Sequence, residues 1–145
     1  MMDVSHNWFL WAILSAGFAA LTAIFAKIGL EGVNSDYATL IRTVVILVVL
    51  AGFVWATGAL SDPRQLSTKT IGFLVASGLA TGASWVCYFR ALKVGEASQV
   101  APVDKFSVVL VAIFAFAFLG ERPAAREWLA IALVGAGVVL LAWKR

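Results

Sequence analysis

The chain has 145 residues, 62% of them hydrophobic and 13% charged, with 11 Lys and Arg against 8 Asp and Glu for a net charge of +3. A soluble domain carries roughly 25% charged residues, and a globule this small has too much surface for its volume to hide such an apolar surplus from water. The surplus therefore faces lipid. The basic residues are scattered, with no stripe suited to nucleic acid. The single cysteine, Cys87, sits in an apolar run and has no partner for an intrachain disulfide.

A membrane-spanning helix needs about 20 mostly apolar residues, because each adds about 1.5 Å across a hydrocarbon core of about 30 Å. Segments of that kind are expected at about 8–28, 37–57, 70–92, 98–119 and 125–143. The stretch before the first reads Met1-Met-Asp-Val-Ser-His-Asn7, with no Lys or Arg. A secretory signal would carry a basic start and a shorter apolar core, so the first span is expected to be retained. Between spans lie turn-forming runs: Gly29 to Asp36, Gly58 to Lys69 with Asp62-Pro63, Gly95-Glu96-Ala97, and Gly120-Glu121-Arg122-Pro123. Such short connections make neighbouring helices antiparallel. The continuous apolar runs speak against a β-barrel, whose strands alternate. The expected fold is an all-α integral membrane bundle of five transmembrane helices, forming a single domain over 1–145.

Trp8, Trp11, Trp55, Trp128 and Trp143 fall near expected helix ends, where the indole favours the headgroup region. Trp85 falls inside the third span. Small residues recur four apart, as at Gly78 and Gly82, a spacing that lets helix backbones approach closely but is also common in ordinary membrane packing. Call the side of the amino terminus side one. It then carries Arg64, Lys69, Arg122 and Arg126, against Lys27, Arg90, Lys93, Lys144 and Arg145 on side two. Lys/Arg bias sets membrane orientation; here it is nearly balanced, which leaves insertion in both orientations open.

Three ionisable residues fall within the spans: Arg42 in the second, Asp104 and Lys105 in the fourth. Both spans begin on side two, which places Arg42 and Asp104 at a common depth of roughly 8–9 Å from their helix starts. Opposite charges at one level can meet if their helices are neighbours. Intramembrane charges usually face a bundle interior or a wet cavity. Arg42 and Lys105 are long enough to snorkel to the interface instead. Asp104 is too short for that, and its alternatives are a structural pair with Arg42 or a functional role. Near this level lie Ser98, Gln99 and Ser107, which can hydrogen-bond a solute, and Trp85 and Tyr88, which can wall a cavity or simply pack. Pro102 deprives the carbonyl of Ser98 of its helical donor, which is tolerated at membrane depth where backbone lines a cavity or meets another helix; Pro is also cheap in a first turn. His6 is the only histidine, so no metal set can be built. No phosphate loop, nucleophile elbow or carboxylate pair occurs, and neither catalysis nor a cofactor is expected.

Three blocks carry a resemblance: Tyr88-Phe-Arg-Ala-Leu-Lys-Val-Gly-Glu-Ala-Ser98, Ala101-Pro-Val-Asp-Lys-Phe-Ser107, and Phe118-Leu-Gly-Glu-Arg-Pro123, with Ala26-Lys-Ile-Gly-Leu30 and Leu40-Ile-Arg-Thr43 upstream. In order and spacing they resemble an EamA-type domain of the drug/metabolite transporter superfamily, in its half-size five-helix bacterial and archaeal branch. The resemblance implies a secondary transporter of a small metabolite in a prokaryotic inner membrane, most often an exporter. Most members carry two such five-helix units as inverted repeats with substrate between them near the midplane. A chain with one unit is then expected to recruit a second copy as a homodimer, antiparallel favoured over parallel. Asp104 becomes the binding or coupling carboxylate, with Arg42 and Lys105 as charge partners. Two other readings stay open: a non-transporting scaffold or accessory subunit, and a flippase for a lipid-linked substrate.

Overall fold

The computed structural model describes residues 8–60 and 66–143. His6, the Asp62-Pro63 turn, Arg64, Lys144 and Arg145 lie outside the described residues. The helices are α1 (Trp8–Gly29), α2 (Ser35–Ala56), α3 (Thr68–Val94), α4 (Ala97–Asp104), α5 (Ser107–Phe114) and α6 (Ala125–Ala142), with a π-helical segment, Ala115–Leu119, after α5. No strand occurs among the described residues. Taking α4, α5 and the π segment as one, five spans among the described residues are long and apolar enough to cross a membrane.

The starts and stops are local chemistry. Asn34 precedes α2 and its side-chain oxygen accepts from the backbone N–H groups of Asp36 at 2.9 Å and Tyr37 at 3.2 Å, satisfying donors that the first helical turn leaves open. Ser67 does the same for α3 through the N–H of Thr70 at 3.1 Å. At α6 the Glu127 carboxylate accepts from the backbone N–H of Ala124 at 2.7 Å, the back-reaching half of a capping box. The π segment ends at Gly120, whose φ of +70° is left-handed; the chain turns there and Glu121 donates to the Ala115 carbonyl at 3.2 Å.

Burial is inverted relative to a water-soluble protein. Among the described residues the buried apolar ones are Ala23, Leu30, Phe89, Leu92, Ala115 and Val138. Leu47, Val48, Val49, Phe53, Phe73 and Leu79 point outward, as they would in water only at a large cost. Lipid is their solvent.

The chain divides into two compact units, Met1–Ile24 with Gly95–Arg145, and Phe25–Val94. In the second, α2 packs against α3. In the first, α4 and α5 pack on α6, close enough at one point that a Cβ added to Gly135 would lie 3.2 Å from Val109 Cγ2. Phe116 meets Trp128 edge to face at 6.1 Å, a favoured aromatic geometry.

The fourth span departs from the continuous helix expected over 98–119. Pro102 has no N–H, which opens the ladder at Ser98. The chain then tightens: Lys105 donates to Pro102 at 3.0 Å, Phe106 to Val103 at 3.0 Å, Val108 to Lys105 at 2.9 Å and Val109 to Phe106 at 3.0 Å. These are three-residue steps in place of the four-residue steps of an α-helix. The carbonyls of Ala101 and Asp104 thereby lose the donors that an unbroken helix would give them. The break coincides with Asp104 and Lys105.

Candidate functional site

In the Phe25–Val94 unit polar contacts tie α3 to the end of α1, to the α1–α2 connection and to α2. At the end nearest the α1–α2 connection, Lys93 donates to the carbonyls of Leu30 at 2.6 Å and Val33 at 2.8 Å, and Lys27 donates to the carbonyl of Leu92 at 2.9 Å. Each lysine sits in the last turn of its own helix, where a cation also complements the helix dipole. Lys27 reaches a carbonyl in the last turn of α3, and Lys93 reaches two carbonyls in the α1–α2 connection. Together with Leu30, Glu31 and Leu92 they line an open depression of about 200 Å³.

Next along α3, Arg90 grips Asp36 with both ends of its fork, Nε to Oδ1 at 2.8 Å and Nη2 to Oδ2 at 2.7 Å. Deeper, Thr39 is buried, its hydroxyl donating to the Ser35 carbonyl at 2.8 Å. Deeper still, the Arg42 guanidinium carbon lies 4.4 Å from the centroid of the Trp85 ring and 5.2 Å from that of Phe89. As residue numbers rise along α2, partners fall along α3, which is antiparallel packing read in side chains. Trp85 and Phe89 are four apart on α3 and so share one face. Phe89 is 3% exposed, which makes its ring a fixed floor for the cation.

Arg42 is seven residues from Ser35, about 10 Å along the helix axis. A cation at such a depth is costly without a partner. The aromatic faces supply part of the compensation, worth about 0.5–1 kcal/mol each at exposed sites and about 2 kcal/mol or more when desolvated. Tyr88, on the next position of the same turn, stacks obliquely with Phe89 at 6.4 Å.

In the other unit, Asp104 closes α4 and its Oδ2 accepts from Lys105 Nζ at 3.3 Å. Both side chains are well exposed, 37% for Asp104 and 56% for Lys105. Ser107 opens α5 on the far side of the break, and Gln99 lies exposed in the first turn of α4. Pro102 is half-buried inside α4. The structure thus brings together Arg42 with Trp85 and Phe89, and Asp104 with Lys105 at the helix break, each within its own unit. On α3, a Cβ at Gly78 or Gly82 would meet no heavy atom within 4 Å, so this face of the unit is open. No group of His, Cys, Asp and Glu capable of holding a metal ion occurs among the described residues.

Sequence reasoning missed Phe89, the Asp36–Arg90 pair and the crossed lysines. The pair had a signal: antiparallel α2 and α3 bring the start of one beside the end of the other, and those ends carry Asp36 and Arg90. The lysine contacts had none, because their acceptors are backbone carbonyls.

Known proteins resemble this chain. Over 139 residues the chain is 58% identical to a Sinorhizobium protein named "Uncharacterized transporter in cobO 3'region", covering 96% of this chain and 99% of that one. Over 74 residues it is 30% identical to a Yersinia pestis protein named "Probable 4-amino-4-deoxy-L-arabinose-phosphoundecaprenol flippase subunit ArnE", covering 51% of this chain and 65% of that one. No solved structure matches. Residues 6–143 match the model of the EamA-like transporter family. With five apolar spans, an outward-facing apolar surface and a family match over nearly its whole length, the chain is a multi-pass membrane protein that belongs to the EamA-like transporter family.

Proposed function

We propose that the protein is a secondary transporter that exports a small metabolite across a prokaryotic inner membrane, working as a homodimer. The observation that carries this reading is the discontinuity in the fourth span at Asp104 and Lys105. Broken helices at membrane depth are a recurring means of exposing backbone carbonyls and charge to a solute or coupling ion, and irregular backbone survives there only where it lines a cavity or is buried in protein. In this reading Asp104 binds or couples, Lys105 balances it when no solute is present, and Ser107 and Gln99 offer hydrogen bonds from either side of the break. In the Phe25–Val94 unit, Arg42, Trp85 and Tyr88 contribute to substrate binding. A protonatable carboxylate at a helix break suits proton coupling.

A chain with one five-helix unit forms its pathway with a second copy, and the open glycine face of α3 at Gly78 and Gly82 suits close approach between membrane helices. The near balance of Lys and Arg between the two sides suits antiparallel copies. The test is accumulation of solutes from a mixed metabolite extract by proteoliposomes under an imposed pH gradient, read by mass spectrometry. Wild type accumulates at least one solute, and Asp104→Asn loses at least tenfold of that rate along with its pH dependence. An Asp104→Asn variant with wild-type rate and pH profile would remove the carboxylate from the mechanism.

The partial similarity to the flippase subunit supports a second reading, in which the cargo is a lipid-linked substrate and the partner is a different subunit. Co-purification with a stoichiometric second membrane protein, and no metabolite accumulation by the protein alone, would favour it.

A further inference from the structure

The α2–α3 pair holds two arginines that are partnered in opposite ways. Arg90 gives the edge of its guanidinium to Asp36 at 2.8 and 2.7 Å. Arg42 lays its face over Trp85 at 4.4 Å and Phe89 at 5.2 Å, with an electrostatic interaction from Tyr88 beside it. Stacking uses the π face of the guanidinium and none of its five N–H donors, which all lie in its plane. Among the described residues of its unit, Arg42 makes no hydrogen bond or ion pair. Asp104, in the other unit, has its own cation in Lys105 at 3.3 Å.

The aromatic floor has a second consequence. With Phe89 buried and Trp85 half-buried, the guanidinium plane is held against a fixed surface, so the fork is pre-oriented. A bidentate acceptor then meets an ordered receptor and loses less entropy on binding than it would with a flexible cation. The acceptors whose geometry matches a guanidinium edge are carboxylate and phosphate. Chloride, a sphere, gains charge but no fork.

Resting on the transporter reading and deepening it, we propose that the edge of Arg42 is the recognition site for an oxyanion, a carboxylate or phosphate group. Trp85 packs beside the group that carries it. The same chemistry is offered by a solute and by an anionic lipid headgroup, and the experiment separates them.

The full chain is prepared with Trp8, Trp11, Trp55, Trp128 and Trp143 replaced by Phe, leaving Trp85 as the reporter, and is placed in phosphatidylcholine nanodiscs. Phosphate, benzoate and chloride are titrated at constant ionic strength. The expected result is a saturable change in Trp85 emission with phosphate or benzoate and none with chloride. Arg42→Lys keeps the charge and loses the fork, and weakens binding at least tenfold; Arg42→Gln abolishes it. Helical circular dichroism confirms that each variant is folded, and Arg42→Lys carries the test if Arg42→Gln is not. Phosphatidylglycerol nanodiscs that shift the emission before any addition and block the phosphate response would assign the oxyanion to lipid. The proposal is overturned if phosphate, benzoate and phosphatidylglycerol all leave the emission unchanged, or if folded Arg42→Lys binds as wild type does. It is equally overturned if the solutes accumulated by vesicles carry neither a carboxylate nor a phosphate. Saturable binding without any vesicle accumulation would instead sink transport and leave the oxyanion site standing.

Discussion

At the scale of single residues, the charges in this protein are held by geometry that a one-dimensional reading sees only in part. Arg42 and Asp104 stand out in the sequence because each interrupts an apolar run, and Trp85 because it sits away from the helix ends. Which partner each takes depends on side-chain direction across a helix pair. Phe89 was invisible as a partner of Arg42 because a Phe in an apolar span carries no signal of its own. The Asp36–Arg90 bridge gives a direct check on the helix register. Reversing one charge, as in Asp36→Arg or Arg90→Asp, sets two like charges where the fork now closes. Each single reversal is expected to lower the aggregation temperature of the detergent-solubilised protein by several degrees. The double reversal, Asp36→Arg with Arg90→Asp, is expected to recover most of it. Equal loss in the double variant would mean that the pair does not join α2 to α3.

At the scale of the elements, hydropathy and length were enough to find all five spans, because lipid imposes a simple demand: about 20 apolar residues with every backbone group satisfied internally. The interior of the fourth span was less legible. Pro102 warned of a gap at Ser98, but the tightening at Lys105 and Phe106 lies beyond the position where a proline removes its hydrogen bond. The π segment after Phe114 has no sequence signature at all, since Ala115-Phe-Ala-Phe-Leu119 would serve equally well as α-helix. Restoring the missing donor with Pro102→Ala should raise helix stability by up to about 3 kcal/mol, the interior penalty of proline. It should also lower the transport rate several-fold if the discontinuity serves the site. Unchanged transport in a stabilised Pro102→Ala protein would make the break incidental. Gly135 tests the packing of α5 on α6: valine there drives into Val109 and is expected to cost about 1–3 kcal/mol by overpacking, measured as a lower unfolding midpoint in mixed micelles. Gly78→Ala, on the open face of α3, should leave the monomer's stability unchanged and weaken association between copies.

At the scale of the whole molecule, the composition already excluded a water-soluble globule, and the outward-facing apolar side chains agree with that exclusion. The number of copies in a working unit is a different kind of property. In the proposed homodimer it depends on faces such as that of Gly78 and Gly82, which meet nothing within the unit itself. Labelling single cysteines near the α2–α3 connection in a Cys87→Ser background, from both faces of the cell, should mark each site from both sides if copies insert in opposite orientations. One-sided labelling would restrict the dimer to parallel copies. The most direct measurement dilutes the purified protein through proteoliposomes until most vesicles hold one copy or none, and counts the fraction that accumulate solute. A transporter assembled from two five-helix copies predicts that this fraction follows the vesicles holding at least two. Accumulation in vesicles holding a single copy, or none at any protein density, would contradict it.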